Sequence, residues 1–168
     1  PDSNTITIPT IPATQANPDT QALTTRSLDK ALQKCASEFL EKTQPTITAK
    51  LSQKTYPLCF NGFAVMYSGV TKTPIWVAEH LTRQRITAAK TLVREGNFHE
   101  ETRLPTEVRS LLSDYTNTGF DRGHLAPNAD MANTDSQFDS FSLANIAPQT
   151  PDNNRKTWVK IETQTRNL

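Results

Sequence analysis

Two apolar, β-prone runs constrain the fold most: residues 58–67 (LCFNGFAVMY) and residues 75–81 (IWVAEHL). Between them lies SGVTKTP, with the glycine and proline of a turn. The pair predicts a hairpin at the centre of a sheet, its first strand bulged at Gly62. A chain of 168 residues has the length of a single domain and can bury a core.

The flanks are polar. Residues 1–26 are rich in Thr, Pro, Ala, Asn and Gln, with no Lys or Arg before Arg26. Such a segment buries too little apolar area to offset its ordering entropy, and it is expected to be an extended or disordered arm. The domain is expected to occupy residues 27–168. Ser27 can cap a helix carrying Leu28, Ala31, Leu32, Cys35, Phe39 and Leu40 at helical spacing, ending before Pro45. Residues 97–118 read as a long loop with a helical turn near residues 106–112. Residues 141–149 (FSLANIAPQ) read as a strand, and a helix follows from Asn153.

A formal charge of +1 means that bulk electrostatics does not select the partner, so affinity for nucleic acid has to come from a local patch. Residues 82–96 supply one, with Arg83, Arg85, Lys90 and Arg94 forming either a solvated face or a phosphate-contacting edge. No run is apolar and long enough to span a bilayer, and no membrane partner is expected. The start at Pro1 is read as a processed or trimmed end. Two cysteines, Cys35 and Cys59, leave open either one disulfide or two buried thiols. With no C-x-x-C and three scattered histidines, a zinc finger is not expected.

The chemistry concentrates in residues 119–127 (GFDRGHLAP) and 153–162 (NNRKTWVKIE). Phosphodiester hydrolysis needs a base for water, neutralisation of charge on the transition state, and help for the leaving oxygen. His124 suits the first task, because an imidazole titrates near neutral pH. Mg²⁺ suits the other two, and it takes hard oxygen ligands while keeping several waters. On a helix beginning near Asn153, Asn154, Trp158 and Glu162 fall at i, i+4 and i+8, close to one face. Trp158 is expected to pack that helix onto the core. Taken alone, a D-R-G-H tetrapeptide is more often structural than functional; the second segment changes the weighing.

Together, residues 119–127 and 142–162 resemble the two signature blocks of the DNA/RNA non-specific endonuclease family, which includes secreted bacterial nucleases and mitochondrial endonuclease G. Residues 76–82 (WVAEHLT) resemble its central strand more weakly. The resemblance implies an α+β fold with a central antiparallel sheet and a ββα-metal active-site motif. It makes His124 the general base, Asn154 the direct Mg²⁺ ligand (Mn²⁺ being the alternative ion), and Glu162 a carboxylate that acts through water. It places Arg122 on the phosphate or on the metal's water shell, and matches Arg94 to an arginine that stabilises the transition state. Asn145 and Gln149 become supporting residues, and Asp121 fixes the strand or its arginine rather than the metal. Family members continue for several dozen residues past the glutamate, whereas this chain stops at Leu168. The C-terminal part of the fold is therefore expected to be missing, through truncation or through cleavage that leaves a partner fragment to complete it.

DNA, RNA or both are the expected partners, and a homodimer is compatible with the resemblance. A secreted or periplasmic protein is expected, with Cys35 bonded to Cys59. Two rival readings differ in class: a nuclease-like module that binds nucleic acid without cutting it, and a nuclease toxin held by an immunity protein.

Overall fold

The computed structural model describes residues 25–168. The expected arm falls outside these, except for its last two residues. Strand β1 (Thr25–Ser27) pairs antiparallel with β2 (Thr43–Pro45), so order begins before Ser27. The helix expected after Ser27 is instead a 3₁₀ stretch, Lys30–Glu38, interrupted at Cys35, and Ser27 is a strand residue rather than its cap. Its start is held by Gln44, which is fully buried and whose Oε1 accepts from the Asp29 amide at 2.7 Å. The tighter period suits the burial pattern, because residues three apart eclipse in a 3₁₀ turn. Leu32 and Cys35 are buried that way, while Leu40, expected on the same face, is 85% exposed.

The central sheet is a three-stranded antiparallel meander of β3 (Thr55–Phe60), β4 (Phe63–Ser68) and β5 (Thr73–Ala78). The run read as one bulged strand is thus two strands. Phe60 pairs with Phe63 across a two-residue turn at Asn61-Gly62, where Gly62 takes φ +90°. An Asn-Gly pair between β-prone runs is a strong hairpin signal, and it prevails over the bulge. The irregularity lies instead between Met66 and Tyr67, where the register with β5 shifts. Strand β5 ends at Ala78, earlier than expected. Thr82 then caps helix α1 (Arg83–Ala89) by accepting the Arg85 amide at 3.1 Å.

Every residue of β4 is buried. Because side chains alternate along a strand, β4 divides the core into two. Phe63, Val65 and Tyr67 pack with Leu104, Val108, Ala126, Met131 and Ala144. Ala64 and Met66 face the other way, toward Leu28, Leu32, Cys35 and Phe39. On that second side, Cys35 and Cys59 form the expected disulfide and join the 3₁₀ stretch to β3. The long loop is pinned by the Tyr67 hydroxyl, which donates to the Val108 carbonyl at 3.1 Å. Its helical turn is Leu112–Tyr115, later than expected, because Asp114 Oδ2 accepts the Leu111 amide at 2.9 Å and sets the start there.

The remaining elements build a second, smaller unit. Strand β6 (Asp121–His124) pairs antiparallel with β7 (Ile146–Gln149), placing His124 opposite Ile146 and Asp121 opposite Gln149. Between them lies helix α2 (Thr134–Ser140), capped by Asn133, whose side chain accepts the Ser136 amide at 2.8 Å. The expected strand over residues 141–149 is shortened to β7, because Leu143–Asn145 forms a 3₁₀ turn that carries Asn145 inward. After β7, a π-helical stretch, Asn153–Trp158, runs straight into α3 (Val159–Arg166). Among the described residues, no helix is long and apolar enough to cross a membrane.

Candidate active site

The half-buried residues of the last helix are Asn154, Trp158, Glu162 and Arg166, each four positions after the previous one. In a regular α-helix that spacing drifts by about 40° per step, since each residue turns about 100°. The wider π-helical turn at its start reduces the drift and keeps all four on the side facing β6. The expected single face is present, and Trp158 anchors it: its indole Nε1 donates to the His124 carbonyl at 2.9 Å.

A cleft of about 500 Å³ opens between this helix, β6, α1 and the loop after α1. His124, Asn154, Glu162, Arg94 and Arg122 all line it, joined by Lys90, Arg155 and Arg166. His124 sits between two aromatic rings, with centroids 5.4 Å away at Phe98 and 5.1 Å away at Phe141. Each ring also carries a cation. The Arg122 guanidinium lies 4.4 Å from the Phe98 centroid, and that of Arg94 lies 5.4 Å from Phe141. Burial among these groups, with the positive charge of Arg94 added, pushes the imidazole down to about 4. His124 is therefore uncharged at neutral pH. Its Nε2 is buried without a protein partner.

The backbone around His124 is held from the 3₁₀ turn before β7 and from β7 itself. Buried Asn145 accepts the Ala126 amide through Oδ1 and donates through Nδ2 to the carbonyls of Ala126 and Ser140, all at 2.9 Å. Gln149 lies over Gly123. A Cβ added there would come within 2.3 Å of the Gln149 side chain, so the motif glycine marks a close approach. Asp121 pairs with Arg155 rather than with Arg122. It accepts from Arg155 Nε and Nη2 at 2.7 Å each and from Asn154 Nδ2 at 3.0 Å, bonds that hold its carboxyl below the usual range.

Asp121 thus takes the NH₂ end of the Asn154 side chain, which also lines the cleft. Glu162 lines the same space, and burial pushes its carboxyl up, opposed by Arg166. Among the described residues no three His, Cys, Asp or Glu gather as a metal cage. One amide oxygen and one carboxylate form a sparse, hard donor set, which fits an ion that keeps most of its waters, as Mg²⁺ does.

Some of the cleft escaped sequence reasoning. Phe98 falls in the stretch read as loop and Phe141 opens the run read as a strand, and nothing in their spacing shows that they flank an imidazole 17 to 26 positions away. Nothing in the sequence marks Arg155, adjacent to Asn154, as the partner of Asp121. Arg166 is held at the cleft by buried Asp130, whose Oδ1 accepts from it at 2.9 Å.

Residues 42–168 match the model of the DNA/RNA non-specific endonuclease family. A nuclease of Nostoc sp. is 38% identical over 121 residues, covering 71% of this chain and 43% of the relative. Mitochondrial endonuclease G of Homo sapiens is 33% identical over 125 residues, covering 74% of this chain and 39% of the relative. The fold is similar to a crystal structure of the EndoG/EndoGI complex, with a TM-score of 0.63 and 28% identity over 67% of this chain and 47% of that one. The chain thus spans less than half the length of each of these relatives. On the family match and the shared mixed fold with antiparallel sheets, the chain belongs to the DNA/RNA non-specific endonuclease family.

Proposed function

We propose that this chain carries the catalytic residues of a sequence-non-specific endonuclease that hydrolyses phosphodiester bonds in DNA, RNA or both, with Mg²⁺ as its cofactor and Mn²⁺ as the alternative. The observation that carries the reading is one cleft in which an uncharged imidazole, an asparagine amide whose NH₂ end is held by Asp121, and several guanidinium groups converge. Asn154 would hold the ion directly and Glu162 through water. When bound, the ion neutralises charge on the phosphoryl oxygen and on the leaving oxygen.

His124 accepts the proton of the attacking water. Its low proton affinity in the free cleft keeps it available, and an arriving phosphate anion raises that affinity by placing negative charge beside the ring. Arg94 and Arg122 meet the phosphate oxygens where charge develops. Phe98 and Phe141 exclude solvent from the imidazole. Phosphate contacts from these arginines and from Lys90 bind any sequence, so no base readout is required. The nuclease domain is assigned to residues 27–168, extended by Thr25 and Arg26, which complete β1, and an oxidising compartment, secreted or periplasmic, suits the disulfide.

Incubation with plasmid DNA and with RNA, each with Mg²⁺ and with chelator, tests the reading. Fragments released only with metal are expected. Retention of nucleic acid with no cleavage under any metal would replace it with a binding module. An inhibitor protein copurifying tightly with the native chain would mark a toxin.

A further inference from the structure

We propose that Asp121 is a positioning residue that aims the Asn154 amide oxygen into the cleft, and that Arg155 locks Asp121 in that task. The inference rests on the reading of Asn154 as the metal ligand. An asparagine side chain has a donor end and an acceptor end of nearly the same shape, and only the acceptor end is useful to a cation. Some neighbour has to decide which end faces out. Here Asp121 Oδ2 lies 3.0 Å from Asn154 Nδ2. A carboxylate only accepts, so it takes the NH₂ end and leaves the oxygen to the cleft.

The carboxylate is itself fixed. Arg155 grips both of its oxygens, Nε on Oδ2 and Nη2 on Oδ1, at 2.7 Å each. Such a two-point fork sets the plane of the carboxylate as well as its position. With Oδ1 held by Arg155 and Oδ2 shared between Arg155 and Asn154, Asp121 has no reason to turn toward the cation. The Arg155 side chain is 69% exposed, where an ion pair adds little to stability, so its larger effect is geometric. The π-helical stretch from Asn153 to Trp158 contains both Asn154 and Arg155, and two successive helix residues there reach one carboxylate at the start of β6.

The test is calorimetric titration of the whole chain with Mg²⁺ in the absence of nucleic acid, so that binding is read apart from turnover. Asp121→Asn keeps the shape but no longer dictates the amide, and it should weaken Mg²⁺ binding about 10–100-fold, the range seen when residues that orient metal ligands are lost. In the double variant Asp121→Asn with Asn154→Asp, the amide introduced at position 121 donates to the carboxylate introduced at position 154. An oxygen again faces the cleft, and binding should recover. Arg155→Gln, an exposed change that spares the fold, should weaken binding several-fold and serves as the readout if Asp121→Asn fails to fold. Wild-type affinity in Asp121→Asn, alongside lost affinity in Asn154→Ala, would overturn this proposal while leaving the ligand assignment standing. Wild-type affinity in Asn154→Ala would overturn the assignment itself, and this proposal with it.

Discussion

The β3–β5 meander and the β6–β7 ribbon with its helix are held together by different forces. In the meander, β4 is buried along its whole length and packs apolar side chains on both faces. Around the cleft the decisive contacts are polar: Trp158 on the His124 carbonyl, Asn145 on Ala126, Arg155 on Asp121. Burial of apolar area is strong but has no direction, whereas hydrogen bonds fix atoms in place. One region should therefore set how stable the molecule is, and the other where its reactive groups stand.

The sharpest way to break this division is at His124, the proposed base. His124→Ala should lower the rate by roughly a hundred- to ten-thousand-fold while the unfolding midpoint stays put or rises. Single-turnover cleavage and thermal melts on the same sample would check it, and turnover near that of the parent would remove His124 from its role.

Phe63→Ala is the counterpart in the meander. Phe63 is fully buried, and its truncation should cost about 3–5 kcal/mol. Cleavage per folded molecule, measured well below the melting range, should hardly change. Equilibrium urea unfolding gives the first quantity; a large drop in the second would show that the two regions are coupled.

A smaller loss is expected from the disulfide, which spans 24 positions on the side of β4 away from the cleft. Opening it by reduction should cost about 3 kcal/mol on the chain-entropy model without moving the metal requirement. Alkylation of unreduced, denatured protein should find no free thiol.

The smallest effect is the most specific. An ordinary imidazole would lose about tenfold in activity by pH 5.5, one unit below its usual pKa near 6.5. With His124 pushed down to about 4, kcat/KM at saturating metal should change less than about twofold over that range. Arg94→Ala removes a positive neighbour and should bring the acid limb to higher pH. For stability the direction is the reverse of a salt-bridged histidine. The unfolded chain takes up a proton below about pH 6.5 and the folded one only near 4, so stability is lost as pH falls through that window. A midpoint that holds steady from pH 6.5 to 4 would contradict the burial of this ring.

The division also explains what could be read from the sequence. The meander is written in apolar runs, so its place is legible, although the bulge expected at Gly62 is the turn itself. That His124, Asn154 and Glu162 would share one cleft was legible because D-R-G-H and the asparagine-bearing helix resemble a family's signatures. Their neighbours were not. The rings of Phe98 and Phe141 meet His124 only in three dimensions, and Arg155 reaches Asp121 across 34 positions. The 3₁₀ stretch at Lys30–Glu38 carries the same apolar spacing as an α-helix, and buried Gln44 at its start left no mark that sequence periodicity could register.

The meander has one consequence for how the molecule reaches its folded state. Its three strands are consecutive in sequence, joined by a two-residue turn and by a short loop over residues 69–72. Contacts between near neighbours close quickly, in about 1–10 μs for a hairpin. β6 must wait for β7, with α2 and two 3₁₀ turns between them, before His124 and Asn154 share a cleft. The sheet should therefore gain protection from hydrogen exchange before β6 and β7 do. A nascent chain would stay catalytically silent until its last-formed pairing is complete, a delay built into strand order alone. Pulse-labelled exchange during refolding would reveal the opposite order if β6–β7 amides were protected first.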